Sequence, residues 1–226
     1  MTTAPPPSSP AGIAPPAPAP VSGPLDGQVD SLTPQGALSC RAHFVGGLLD
    51  GLLLLYDESQ RPSQRAQYRR GLQHGRTQLF GDGRLLAEIQ YCDGLREGLS
   101  CTYDEAEQLS SKVQYVAGRQ HGAASYYYPD GALARSAQFA NGLAHGEQRD
   151  YSPAGQLLMS TMFVNGKRHG AQTRFHLNGK RQEVAHFKDG KPDGEPVVYN
   201  EQGEPVGAAA GGDAPRRSLL ARLIEG

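Results

Sequence analysis

Aromatic and small apolar positions recur along the chain at a fixed interval. The stretch Phe139-Ala-Asn-Gly142-Leu-Ala-His-Gly146 returns as Phe163-Val-Asn-Gly166-Lys-Arg-His-Gly170 and as Phe187-Lys-Asp-Gly190-Lys-Pro-Asp-Gly194, each 24 residues after the last. The same register runs back through Tyr115, Tyr91, Tyr68 and Phe44, making seven copies with a single step of 23, between Tyr68 and Tyr91. A second aromatic stands five residues after each closing glycine: Tyr56, Phe80, Tyr103, Tyr127, Tyr151, Phe175 and Tyr199. The two sets interleave at steps of 12, with one step of 11, and take up 14 of the 16 aromatics. A period in this range marks a repeat architecture, in which each copy is one supersecondary unit.

Within a copy the apolar pattern alternates. Leu157, Met159, Thr161 and Phe163 fall on one side of an extended segment, as do Leu85, Ala87, Ile89 and Tyr91, and Leu109, Ser111, Val113 and Tyr115. Glu88, Gln90, Lys112 and Gln114 fall on the other. Alternation over four to eight residues predicts a strand with one wet face. Asn-Gly and Asp-Gly pairs such as Asp93-Gly94 and Asn165-Gly166 predict tight hairpins. Segments such as Tyr128-Pro129-Asp130-Gly131 predict a second, type I reversal. Each 24-residue unit is thus two strands and two turns. The loops are too short for a parallel crossover, so the sheet is antiparallel. The expected fold is all-β: an elongated, twisted, single-layer antiparallel meander of about seven hairpin repeats, with the rings stacked at one height along it.

The flanks differ in composition. Residues 1–24 hold nine of the 17 prolines and no charged side chain, which predicts a disordered, proline-rich tail. Residues 25–37 are a leading segment of open structure, 38–206 the repeat array, and 207–226 a Gly/Ala linker followed by a short amphipathic helix. In that helix Leu219, Leu220 and Leu223 share an apolar side, suited to capping the sheet or entering a partner's groove.

Charge and cysteine content narrow the function. A net charge of −1 offers no basic surface for nucleic acid and argues against an anionic membrane. No basic start with a continuous apolar run marks a secretory signal, and three sparse cysteines fit a reduced, cytoplasmic setting. His74, His121, His145 and His169 each precede a closing glycine, but repeats about 10 Å apart cannot converge such a row on one ion, so each is read as bonding within its own turn. Neither a nucleophile motif nor a phosphate loop occurs. The expectation is a non-enzyme with no cofactor and no metal. Residues that break the period are the candidates for partner binding. Tyr126 and Tyr128 flank Tyr127 and by alternation take the wet face. Arg135 is an odd charge on the inner side of its strand, and Arg149 and Arg174 lie in the neighbouring copies.

The box of an aromatic, any residue, Asn or Asp, Gly, two residues, His, Asp or Glu, and Gly, with an aromatic five residues on, resembles the bacterial variant of the MORN repeat over residues 44–203. The resemblance implies an antiparallel ribbon and a YwqK-type antitoxin or immunity-like protein that binds and neutralises a toxic protein effector. The alternative it implies is a structural scaffold that binds lipid or self-associates.

Overall fold

The computed structural model describes residues 25–206, which are antiparallel strand and turn throughout. They divide into two compact units, the first ending at Gly131 and the second starting at Ala132. The proline-rich tail and the amphipathic segment containing Leu219, Leu220 and Leu223 lie outside the described residues.

In the first unit the strands are β1 (Gly27–Leu32), β2 (Leu38–Val45), β3 (Leu48–Tyr56), β4 (Pro62–Arg69), β5 (Leu72–Gly81), β6 (Arg84–Cys92), β7 (Leu95–Tyr103), β8 (Leu109–Val116) and β9 (Arg119–Tyr127). Each pairs with the next. The second unit contains β10 (Leu133–Ala140), β11 (Leu143–Ala144), β12 (Gly146–Tyr151), β13 (Leu157–Val164), β14 (Lys167–Phe175), β15 (Arg181–Lys188), β16 (Lys191–Pro192), β17 (Val197–Tyr199) and β18 (Pro205–Val206). These too form an antiparallel meander, the short β11 and β16 opening hairpins that β12 and β17 complete.

Two kinds of turn alternate, as the dipeptides predict. Asp93-Gly94, Asn165-Gly166 and Asp189-Gly190 have positive φ at both residues, the conformation of a two-residue type I′ hairpin. At the other end of the strands, the amide of Gly179 donates to the His176 carbonyl at 2.9 Å, and that of His176 to the Lys180 carbonyl at 2.8 Å. The fourth residue of this turn sits at positive φ, which is why glycine is usual there. Gln60 and Glu107 take the position at φ 60° and 58°. Both recover something: the Gln60 amide accepts from the Leu38 N–H at 3.1 Å and donates to its carbonyl at 3.0 Å, and the Glu107 carboxylate accepts from the Leu85 N–H at 3.0 Å. The step of 23 also has a cause. Between Phe80 and Leu85 the reversal is a two-residue turn at Asp82-Gly83, with Gly81 opposite Arg84, so one residue is lost in the turn and none in the ladder.

The leading segment 25–37 repeats the closing half of a unit. Gly27 takes the closing-glycine conformation at φ 82°, Leu32 stands where the second aromatic would be, and β1 turns into β2 through Thr33 to Gly36.

One face of each sheet is packed. In the first unit Ala42, Phe44, Leu53, Ala66 and Tyr68 form a buried cluster, with Val29, Cys40, Leu49 and Leu55 against it. The expected single stack of rings is corrected here. Phe44, Tyr68 and Tyr115 lie on the packed face, but Tyr56, Phe80 and Tyr103 do not. Across every hairpin but one the residues facing one another have an odd sum, such as Leu53 and Ala66, so the buried parity switches from strand to strand; the exception is β5 with β6, where the shortened turn gives an even sum, as in Thr77 and Ile89. A step of 12 then lands on alternate faces and a step of 24 on the same one. The switch is completed by a bulge: Thr102 pairs with Ser111 and Tyr103 with Leu109, and the Thr102 hydroxyl bonds both Ser110 and Ser111, at 2.8 and 2.6 Å. Leu85, Leu109 and Leu157 therefore leave the face of Ala87, Ser111 and Met159 and pair with Phe80, Tyr103 and Tyr151.

Candidate functional site

The repeats are coupled through their turns. Within each unit the amide of a hairpin glycine donates to a carbonyl of the preceding repeat: Gly71 to Leu49 at 2.7 Å, Gly94 to Gln73 at 2.8 Å, Gly166 to Ala144 at 2.8 Å and Gly190 to Arg168 at 2.8 Å. The polar residue before the closing glycine adds a second bond. Asp50 accepts from the Arg70 N–H at 3.1 Å and Glu97 from the Ala117 N–H at 2.8 Å. The Nδ1 atoms of His74 and His169 lie 3.4 and 3.5 Å from the Asp93 and Asp189 amides. This corrects the expectation that the position bonds within its own turn: its partner is the first residue of the next hairpin. An acceptor is what the position requires, so Asp, Glu and His interchange there.

Part of the array is identified as MORN repeats. The MORN repeat variant model matches residues 120–141 and 168–189, and the MORN repeat model matches residues 162–171. A comparison with curated proteins gives no match. Among solved structures, the chain is similar to a mutant of S. aureus TarM in complex with Fondaparinux, alpha-GlcNAc-glycerol and UDP, at 12% identity and TM-score 0.25, over 53% of this chain and 19% of that one. It is also similar to a GtfA/B complex bound to UDP and GlcNAc, at 17% identity and TM-score 0.25, over 53% and 21%. The chain spans about a fifth of the length of those proteins.

The array offers two faces and two rows of turns, and the second unit's packed face departs most from the repeat pattern. Across its ladder Arg135 faces Asp150, Asp150 faces Met159, Met159 faces Arg174, and Arg174 faces Glu183. The neighbouring row places Gln148 opposite Thr161 and Thr161 opposite Gln172. The side chains bond one another. The Arg135 guanidinium is ion-paired with the Asp150 carboxylate, and the Gln148 amide donates to the other Asp150 oxygen at 3.2 Å. The Gln172 amide donates to Thr161 Oγ1 at 3.1 Å and accepts from Arg168 at 3.4 Å. The Arg168 guanidinium lies over the Phe187 ring, 3.9 Å from its centroid, a cation–π contact. Glu183 is buried with no partner on Oε1, an unmet acceptor that costs stability where it stands.

Arg149 lies on the opposite face, beside Tyr151, and pairs with Glu147 at 2.7 Å. Glu147 also accepts from Ser160 at 2.6 Å, and the donation from Arg149, then that from Ser160, holds its carboxyl below the usual range. Of the arginines singled out in the sequence, then, Arg135 and Arg174 share a face and Arg149 does not. In the first unit, Tyr126 faces Ser111, whose strand neighbours Val113 and Tyr115 are buried. Tyr126 is thus on the packed face, which corrects its expected place on the wet one. The inference failed because strand parity fixes the face of Tyr127 as the open one. Tyr128 lies past the end of β9 and opens the turn that the Gly131 amide closes at 2.9 Å. Both tyrosines are half-buried. Asp150, Gln172 and Glu183 escaped the sequence reading because a polar residue in a strand looks ordinary. Their signal is columnar: in the first unit the Asp150 position holds Leu79, Thr102 and Tyr126, the Gln172 position Thr77, Ser100 and Ala124, and the Glu183 position Gln64, Ala87 and Ser111.

Proposed function

We propose that the chain is a non-enzymatic, cytoplasmic protein-binding module that neutralises a toxic protein effector, and that the polar packed face of the second unit takes part in recognition. The observation that supports this is the ladder Arg135, Asp150, Arg174 and Glu183, with Gln148 and Gln172 beside it, at positions where the first unit's repeats hold no charged residue. The fold needs only alternation and turns, so clustered charge on the packed face adds a directional set of donors and acceptors that discriminates among partners. Repeats of this family commonly serve binding, and the effector is the specific partner proposed.

The test uses the immobilised full-length chain and its native cell extract. A protein retained by the wild type and released by Arg174→Ala, with melting temperature unchanged, supports the reading. Equal capture by the variant removes this face from recognition. Tyr126→Ala with Tyr128→Ala is a less clean probe, because Tyr126 also packs beside Ser111. A second reading, a scaffold that engages lipid or self-associates, is favoured by the exposed leucines at successive hairpin tips, Leu48, Leu72 and Leu95. Sedimentation with anionic vesicles separates the two: co-sedimentation supports the scaffold, and a chain left in the supernatant supports the effector-binding module.

A further inference from the structure

We propose that His74, Cys92 and Asp93 form a binding site for a zinc-class divalent cation, held across the step from one repeat to the next. The three offer an imidazole nitrogen, a thiol sulfur and a carboxylate oxygen, all within 4.8 Å of one another. His74 precedes the closing glycine of one box, while Cys92 ends β6 and Asp93 opens the following hairpin. The coupling of successive turns therefore brings them together, with His74 Nδ1 3.1 Å from one Asp93 carboxylate oxygen and Cys92 Sγ 4.0 Å from the other. Metal–ligand bonds of about 2.0–2.3 Å place neighbouring ligand atoms of a tetrahedron roughly 3.3–3.8 Å apart. The observed separations straddle that range, and closing them takes side-chain rotation at an exposed site. The donor set is the one that suits a borderline-soft ion, with water completing the fourth position. On binding, the Cys92 thiol releases its proton and the thiolate bonds the metal.

The repeat supplies its own controls. The corresponding trio is Asp50 with Arg69 and Arg70 one copy earlier, and Glu97 with Val116 and Ala117 one copy later. At His169 and Asp189 the imidazole and carboxylate recur, 3.5 Å apart, but Lys188 replaces the cysteine. A free thiol completes the set at Cys92 alone among these copies. Two contacts compete: the Asp93 amide lies 3.4 Å from His74 Nδ1, and Arg69 donates to the Asp93 carboxylate at 2.8 Å. That pair is half-exposed and of the kind that contributes little and yields readily.

The experiment is a titration of the reduced, metal-free, full-length chain with Co²⁺. The expected result is one equivalent bound, with a thiolate-to-cobalt charge-transfer band and the visible bands of a tetrahedral site. Cys92→Ser should abolish the charge-transfer band, and His74→Ala should weaken binding at least tenfold. Cys101→Ser should leave both intact, and Arg69→Ala should tighten binding by freeing Asp93. Absence of the band in the wild type, or its survival in Cys92→Ser, overturns the site. Undiminished affinity in His74→Ala overturns the imidazole's role, and no tightening in Arg69→Ala removes the carboxylate. Circular dichroism of each variant confirms that the sheet is retained.

Discussion

The two units share a framework and differ in what they place on it. Both use the same pair of turns, the same closing glycine and the same bonds from one repeat's turn to the next. The first unit buries Ala42, Leu53, Ala66, Ile89 and Val113 on its packed face, with the uncharged Gln64, Thr77, Ser100 and Ser111 among them. The second keeps Ala137 and Ala185 but sets Gln148, Thr161 and Gln172 in the adjoining positions, and Arg135, Asp150, Arg174 and Glu183 in the next row. Turn chemistry and backbone bonding therefore specify the meander, and face composition is free to vary around them. In the first unit the buried hydroxyls of Thr77 and Ser100 stand without a partner among apolar neighbours, whereas the second unit joins its polar side chains to one another.

That contrast can be broken first at one equivalent position. Leu53 and Gln172 both stand nine residues after the aromatic that opens their box. Leu53→Ala removes a buried side chain from the cluster around Phe44 and should cost about 2–5 kcal/mol in urea unfolding. Gln172→Leu trades its bond to Thr161 for apolar burial and should change stability by about 1 kcal/mol or less. Equal costs would mean that the two faces are held in the same way. Next in size, Asp150→Ala strands the half-buried Arg135 guanidinium and should cost about 1–3 kcal/mol. Arg135→Met with Asp150→Leu should recover most of it.

The shared framework makes the opposite prediction, that the units respond alike. Gly98 and Gly170 close their boxes at φ +86° and +91°. Alanine at either should cost about 1–2 kcal/mol, since a β-carbon is strained in the left-handed region. A large difference would show that the glycines are not equivalent. The smallest effect is a pH dependence at Glu147 in the second unit. Glu147 has its carboxyl lowered from the ordinary 4.5 by donation from Arg149 and Ser160. A depressed folded value gives stability that is full above that ordinary value and lost as pH falls through the lowered one. Melting temperatures of Glu147→Gln should therefore match the wild type more closely at pH 3 than at pH 7.

Much of this fold was legible in the order of residues because it rests on local rules. Asn-Gly and Asp-Gly dictate the hairpins, and alternation dictates the strands. What escaped was the effect of counting across turns. Alternation read through Tyr126, Tyr127 and Tyr128 is correct about which neighbours differ in face, but silent about which face is buried. That depends on the register of β8 against β9, where Tyr126 meets Ser111. The role of His74 and His169 was hidden for a related reason: their partners lie 19 and 20 residues ahead, in another copy's turn. Arg135 was visible as a charge in an apolar column. Its neighbour Asp150 was not, because the pairing that joins them is a property of the sheet.

The missing residue between Tyr68 and Tyr91 has a practical consequence. The reversal at Asp82-Gly83 shows that this row of loops absorbs a change in chain length while the strands on either side keep their partners. An epitope or a spectroscopic label grafted there would be displayed at the rim without shifting a single rung.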